Sequence, residues 1–336
     1  MVVNTFTNHQ VLRFIGLSNE SKMAKLIEKE PSARVSPLTA APALAVQFFL
    51  IPLAVVGMVV LVYGGFRMLL SSERTPQELL SDVRVGGRER RWPAAYELSR
   101  LLSNPETETQ FPGLATDIVQ AFSNSDNDDP RVRRYLALAI GRLNSPPPTA
   151  VNELVASLDD PDTETRISVI FALASLGDVA TIDEISKMYQ SDDAGVRKMA
   201  VYAVGILSPD GRDATLRTAL EDSAADVQWN AAVALARHGN PDGMMIIRRM
   251  LDRSYVERMV TRTPASDANI DPVSEVIVSG LQAAASLGAS ELRSSIEALS
   301  QTDTNLRVRE VALKALDVLN QSTMKVGLVD VGRLDA

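Results

Sequence analysis

Side chains able to do acid–base, nucleophilic or metal chemistry are scarce in this chain. Its 336 residues include no Cys and two His, His9 and His238. The missing Cys excludes a disulfide framework, a thiolate-ligated metal and a catalytic thiol. His9 and His238 lie far apart in sequence, which leaves little material for a His-rich metal site or a Ser-His-Asp triad. No Walker loop, GxGxxG, HExxH or GxSxG motif occurs. Asp126-Asn127-Asp128-Asp129 is acidic but lacks the spacing of a calcium loop. It reads as a solvated loop that caps the next helix, as do Asp159-Asp160 and Asp192-Asp193. His238 precedes Gly239 at an expected helix end, where an imidazole suits the helix dipole. No catalytic residue, metal ligand or cofactor-binding residue is therefore assigned, and no cofactor is expected.

Charge and hydropathy divide the chain. It carries 34 basic and 42 acidic residues, net −8. Residues 1–70 hold 6 basic and 3 acidic side chains, and the remainder holds 28 and 39. An acidic body argues against a nucleic-acid partner, which needs basic surface for phosphate. No charge occurs between Arg34 and Arg67. The stretch 44–66, LAVQFFLIPLAVVGMVVLVYGGF, exceeds the roughly 20 apolar residues a helix needs to cross a bilayer. It starts too late for a cleaved signal peptide and predicts a single transmembrane helix in the cell membrane. Basic residues balance on its two flanks, until Arg88, Arg90 and Arg91 tip the count toward a cytoplasmic C-terminal body. Residues 1–40 read as a tail.

The rest of the chain must position whatever function it has, and it repeats. Thr75-Pro76-Gln77-Glu78 has the form of a capping box, with Pro at the first helical position. Residues 71–87 read as a linker with this short helix. A phrase of the form V-R-x-x-A-A-x-A-L-G-x-L then recurs from anchors at 91, 133, 166, 197, 228, 277 and 309. The basal period is 31 residues, with additions in the first and fifth intervals. Between phrases lie second helices such as AVNELVASL, TIDEISKMY and ATLRTAL. Each unit is thus two short antiparallel helices, and only stacking buries their apolar faces. The array runs over 88–320 with an insertion at about 253–272, and 321–336 read as a second tail.

These D-x-x-V-R and A-x-A-L-G elements resemble the bacterial HEAT-like repeats named after phycobilisome lyases, over about residues 82–320. The resemblance implies an all-α fold: an α-solenoid of about seven helical hairpins behind the membrane helix. It also implies a polar ladder between repeats made by Asp129, Arg133, Arg166, Asp193, Arg197 and Arg309. In such arrays the V-R helices line the concave face. Positions one, two, five and nine after each anchor then point outward. They place Trp92, Arg134, Ile167, Lys198 and Trp229 in one column. Tyr135, Ser168, Met199 and Asn230 form a second. Tyr96, Leu138, Phe171, Tyr202 and Val233 form a third, and Arg100, Arg142 and Arg237 a fourth.

Aromatic and Arg side chains are enriched at protein interfaces. Two accounts of the columns stand: a binding groove, or side chains that cover seams between adjacent helices. The groove is expected to fade toward Gln282 and Lys314. The insertion is either functional or a tolerated loop. The expected function is a non-catalytic, membrane-anchored scaffold or adaptor holding a protein or peptide partner. The alternatives are a bilin-lyase-like or cofactor-attachment accessory protein, which the resemblance suggests, and an accessory subunit of a membrane transporter or enzyme complex.

Overall fold

The computed structural model describes residues 50–70, 74–209, 214–260 and 271–334, without the side chains of 66–70 and 322–334. The chain divides into two units, Met1–Glu73 and Arg74–Ala336. The first contains helix α1 (Ile51–Leu70), whose apolar side chains from Leu50 to Tyr63 are exposed. Among the described residues no helix is long and apolar enough to cross a membrane. The expected span 44–66 is described only from Leu50, and the expected tail 1–40 lies outside the described residues.

Among its described residues the second unit consists of helices joined by turns and short loops, with no strand. It opens with α2 (Pro76–Val85), α3 (Arg88–Leu101), α4 (Glu106–Gln110), α5 (Leu114–Ser123) and α6 (Pro130–Ile140). It continues with α7 (Thr149–Ala156), α8 (Thr163–Leu176), α9 (Ile182–Lys187), α10 (Ala194–Leu207), α11 (Ala214–Ala219) and α12 (Ala225–Arg237). It ends with α13 (Met244–Met250), α14 (Arg253–Met259), α15 (Pro272–Leu287), α16 (Arg293–Thr302) and α17 (Leu306–Leu334). Helices α3, α6, α8, α10, α12, α15 and α17 pack consecutively, each on the next. All seven sequence anchors lie on this row. The shorter helices α2, α5, α7, α9, α11, α13 and α16 back it, which makes the stacked helical hairpins the repeat requires.

Two boundaries differ from the sequence reading. Helix α2 is a member of the array rather than a linker, because Leu79, Leu80 and Val83 are buried against the core. Its capping box forms: Thr75 Oγ1 accepts from Glu78 N–H, and Glu78 Oε2 accepts from Thr75 N–H, both at 3.3 Å. The expected tail from 321 instead continues α17 to Leu334. The insertion supplies α14, and its remainder at 261–270 lies outside the described residues.

Small residues set the spacing of the row. A Cβ built on Gly141 would meet Ala172 Cα at 2.7 Å, so a side chain there would push α6 off α8. At the end of α8, Gly177 adopts φ +74°, the left-handed conformation that closes a helix and costs glycine least. The core has two clusters that meet on α12. Ala231 and Leu235 belong to the first, Trp229, Ala232 and Ala236 to the second.

The ladder is present, with a different set of acids from those expected. Asp129 and Asp193 are N-caps, accepting from Arg131 N–H and Val196 N–H. The acceptors for Arg133 and Arg197 lie two residues before the next cap. Asp160 accepts from Arg133 Nε at 2.6 Å, and Asp222 accepts from Arg197 Nε and Nη2 at 2.9 and 3.0 Å. Asp303 accepts from Arg253 at 2.9 and 2.7 Å. The other job of each acid is local. Oδ1 of Asp160, Asp222 and Asp303 accepts the N–H two residues on at 2.8 Å, an Asx turn that starts the next helix. Burial pushes the Asp222 carboxyl up, but Arg197 and the Ala224 N–H outweigh it and hold the group below the usual carboxylate range.

The other anchors depart from this pattern: Arg91 pairs with Asp128, one residue before the cap Asp129, and Gln228 donates back to Asp222 O. In the loop before α10 the turn residue is Ser191, whose Oγ accepts from Asp193 N–H at 3.2 Å. Ser191 is too short and neutral to serve Arg166, whose Nε is buried without a partner. Replacing Ser191 with Asp is therefore expected to stabilise the protein by about 1 kcal/mol or more, the worth of a new charge-assisted hydrogen bond. A rise in the thermal midpoint checks this, and an unchanged or lower midpoint refutes it. In the fifth interval the cap Asp271 makes Glu275, not Ile277, the fourth residue of α15, the place Arg166 and Arg197 hold in α8 and α10. Glu275 pairs with Arg307, and Arg253 from the insertion takes over Asp303. Among the described residues Arg309 makes no side-chain ion pair.

Candidate protein-binding face

The anchor helices present one side to their partners and another outward. Position one after the anchor reaches to the start of the following anchor helix. Arg131 lies over the Trp92 ring at 4.6 Å. Arg134 Nη2 donates to Asp162 Oδ2 at 3.2 Å, and Lys198 Nζ lies 3.2 Å from Asp226 Oδ2. This column is thus a second, more exposed inter-repeat ladder, which supports the seam account for these residues. Such exposed pairs contribute little, about 0–1 kcal/mol each.

In the second column, Tyr135 and Met199 are half-buried and pack against the core. Ser168 is buried and donates to Glu164 O, so it is not available to a partner. Asn230 is half-buried and donates to Asp226 O at 2.7 Å. The third column keeps its outward character. Tyr96 is 43% exposed, and Leu138, Phe171, Tyr202 and Val233 are half-buried. In the fourth, Arg100, Arg142 and Arg237 are exposed.

Trp229 departs most from expectation. It is 7% exposed and belongs to the second core cluster. Its Nε1 is buried with no hydrogen-bond partner. It forms part of the wall of a cleft of about 590 Å³ between α12 and α15, with Asn230, Val233, Met250, Glu275 and Val276. At the fifth interval the face thus carries this cleft, and beyond it the third column turns polar at the exposed Gln282 and Lys314. His238 Nε2 lies 3.0 Å from Gly205 O, a structural bond between adjacent repeats. Among the described residues no group of His, Asp and Glu could hold a metal ion.

Sequence reasoning missed Asp160, Asp222, Asp303 and Arg253. The first three had a signal: an acid six residues before the anchors Arg166, Gln228 and Arg309. Arg253 had none, since it lies in the insertion.

Stacked helical hairpins with a ladder in their loops define a helical-repeat solenoid. The family model for HEAT repeats matches residues 116–205, which span α6 and α8 and most of α10. Among solved structures, the Escherichia coli protein YibA is 16% identical, covering 76% of this chain and 84% of that one, with a TM-score of 0.48. A designed armadillo repeat protein in complex with the peptide (KR)4 is 16% identical, with coverages of 74% and 100% and a TM-score of 0.37. Human deoxyhypusine hydroxylase is 19% identical, with coverages of 75% and 99% and a TM-score of 0.32. No curated protein sequence matches the chain. The array is an all-helical repeat solenoid, and its residues 116–205 match the model for HEAT repeats.

Proposed function

We propose that the protein is a non-catalytic, membrane-tethered scaffold whose anchor-helix face holds a protein or peptide partner. The observation that carries the binding part is the third column. Tyr96, Leu138, Phe171 and Tyr202 stand in register on successive anchor helices and remain partly uncovered, outside both core clusters. A rigid repeat array presents such a column already ordered, which lowers the entropy cost of binding an extended partner. The tether rests on the uncharged stretch 44–66 and on the exposed apolar side chains of α1. Exposed Leu, Val and Ile on a helix cost little in lipid and much in water. Anchoring would raise the local concentration of the binding face at the membrane. The solenoid would then lie on the cytoplasmic side, following the arginines at 88, 90 and 91.

Affinity capture from detergent-solubilised membranes tests the binding part, comparing wild type with a Tyr96→Ala, Phe171→Ala, Tyr202→Ala variant. Trp229 is left alone because its loss would unfold rather than unbind. The variant is expected to lose at least one partner with its thermal midpoint little changed. Identical partners in both would sink the groove. Release of the protein from membranes by alkaline carbonate would sink the tether.

A further inference from the structure

We propose that the corner formed by Tyr96, Tyr135, Arg100 and Arg142 binds a carboxylate-bearing segment of the partner, acidic and carrying an aromatic or aliphatic side chain. The inference rests on the scaffold reading and names the chemistry of the partner. Tyr96 and Tyr135 meet edge to face across α3 and α6, with ring centroids 5.1 Å apart and planes at 65°. Tyr96 is the most exposed aromatic among the described residues of the array, at 43%. A rigid aromatic pair of this kind offers apolar contact area at little entropy cost.

The cations around it are unmatched. The Arg100 guanidinium lies 5.9 Å from the Tyr96 ring centre and makes no ion pair among the described residues. Arg142 uses Nη1 to donate to Ser99 O, which fixes its direction and leaves its other donors without a partner among the described residues. Elsewhere on the face Arg134 is matched by Asp162, Lys198 by Asp226 and Arg131 by Asp129, while Arg237 of the fourth column, like Arg100, has no acid partner among the described residues. The nearby acids are committed. The Glu108 carboxylate accepts the N–H groups of Asn144 and Ser145 at 2.7 and 3.0 Å, and Glu97 lies 3.7 Å from Arg74.

Charge complementarity therefore selects the occupant. Arginine forks recognise carboxylates by paired, charge-assisted hydrogen bonds. The body around the corner is acidic, with 28 basic and 39 acidic residues after residue 70, so an acidic segment is repelled elsewhere and attracted here. The partner's apolar side chain would pack on the exposed Tyr96 ring.

The test uses the full chain in neutral phosphatidylcholine nanodiscs. The probe is a short fluorescein-labelled peptide of Asp, Glu and Phe, with a peptide carrying Lys in place of the acids as control. Binding of the acidic peptide alone, weakening as salt rises, is expected. Arg100→Gln with Arg142→Gln should weaken it roughly tenfold or more, as loss of paired interface anchors does. Arg100→Gln alone keeps every hydrogen bond of the fold and should still weaken binding measurably. Lys198→Gln, on the same face but already paired, should leave it within about twofold. Undiminished binding by the double variant overturns the proposal, as does failure of the wild type to bind. Binding of phosphatidylserine vesicles through the same arginines, without peptide binding, overturns it in favour of a lipid surface. Partner capture that survives in the double variant but is lost on Phe171→Ala with Tyr202→Ala rejects the corner and leaves the scaffold reading intact. Capture of nothing by the wild type rejects the scaffold reading itself.

Discussion

Replacing Asp160 with alanine is expected to cost about 3 kcal/mol of stability, the low end for breaking a buried pair by removing one partner. Asp160 and Arg133 side chains are 5% and 8% exposed, so neither charge has water to fall back on. The guanidinium is held on three sides. Nε donates to Asp160 at 2.6 Å, Nη2 donates to Ser157 Oγ at 3.3 Å, and the group lies 5.1 Å from the centre of the Phe122 ring. Asp126 also pairs with it but is 74% exposed, so it compensates only in part. Loss of Asp160 also removes the acceptor for Asp162 N–H, which starts α8. The change therefore strikes the join between two repeats, where solenoid stability is set by neighbour contacts. Urea denaturation followed by circular dichroism measures the effect. Lys198→Ala is the comparison, because its pair with Asp226 is exposed on both sides and is worth about 0–1 kcal/mol. If both variants shift the midpoint equally, the buried ladder is not what joins the repeats.

The same residues show what could be seen in advance. The anchors recur because every repeat must fill the same core positions, so Arg133, Arg166 and Arg197 stand at the fourth residue of their helices. That constraint is local and therefore legible. Which acid receives each arginine is a contact across 25 to 27 residues, and the resemblance pointed to the caps instead. The caps were a natural expectation, since Asp129 and Asp193 do bind backbone N–H groups. The true acceptors lie only two residues earlier, where an Asx turn leaves one oxygen free to reach back. The fifth unit failed for a related reason. Counting back eleven residues from Gly288 gives Ile277, as counting back from Gly177 gives Arg166. Helix α15 has 16 residues where α8 has 14, so the count back stops two residues short of Glu275, and Asp271 marks the real start. The third column is partly uncovered, as its spacing implied, because outward positions depend only on helical period. Trp229 is not, because whether a position is covered depends on the spacing of the next helix.

Trp229→Ala is expected to destabilise the protein by about 3–5 kcal/mol, the usual cost of emptying a large buried aromatic site. The side chain joins α12 to the second core cluster, so its removal opens the seam at which the two clusters meet. It also extends a cleft that already holds about 590 Å³, which leaves the neighbours little to collapse against. Trp229→Phe should behave differently. It keeps most of the ring and removes the buried Nε1–H that has no acceptor. An unsatisfied buried donor costs about 1–3 kcal/mol, and its removal offsets part of the lost volume. The Phe variant should therefore lose no more than about 1.5 kcal/mol, in the range of a tolerated core exchange. Partner capture separates the two roles an indole could have on this face. If Trp229 is a core residue, the Phe variant captures what the wild type captures, and the Ala variant loses partners only as far as it unfolds. If instead the Phe variant keeps its stability and loses a partner, the indole N–H itself is a contact, and the cleft between α12 and α15 joins the third column as part of the binding face.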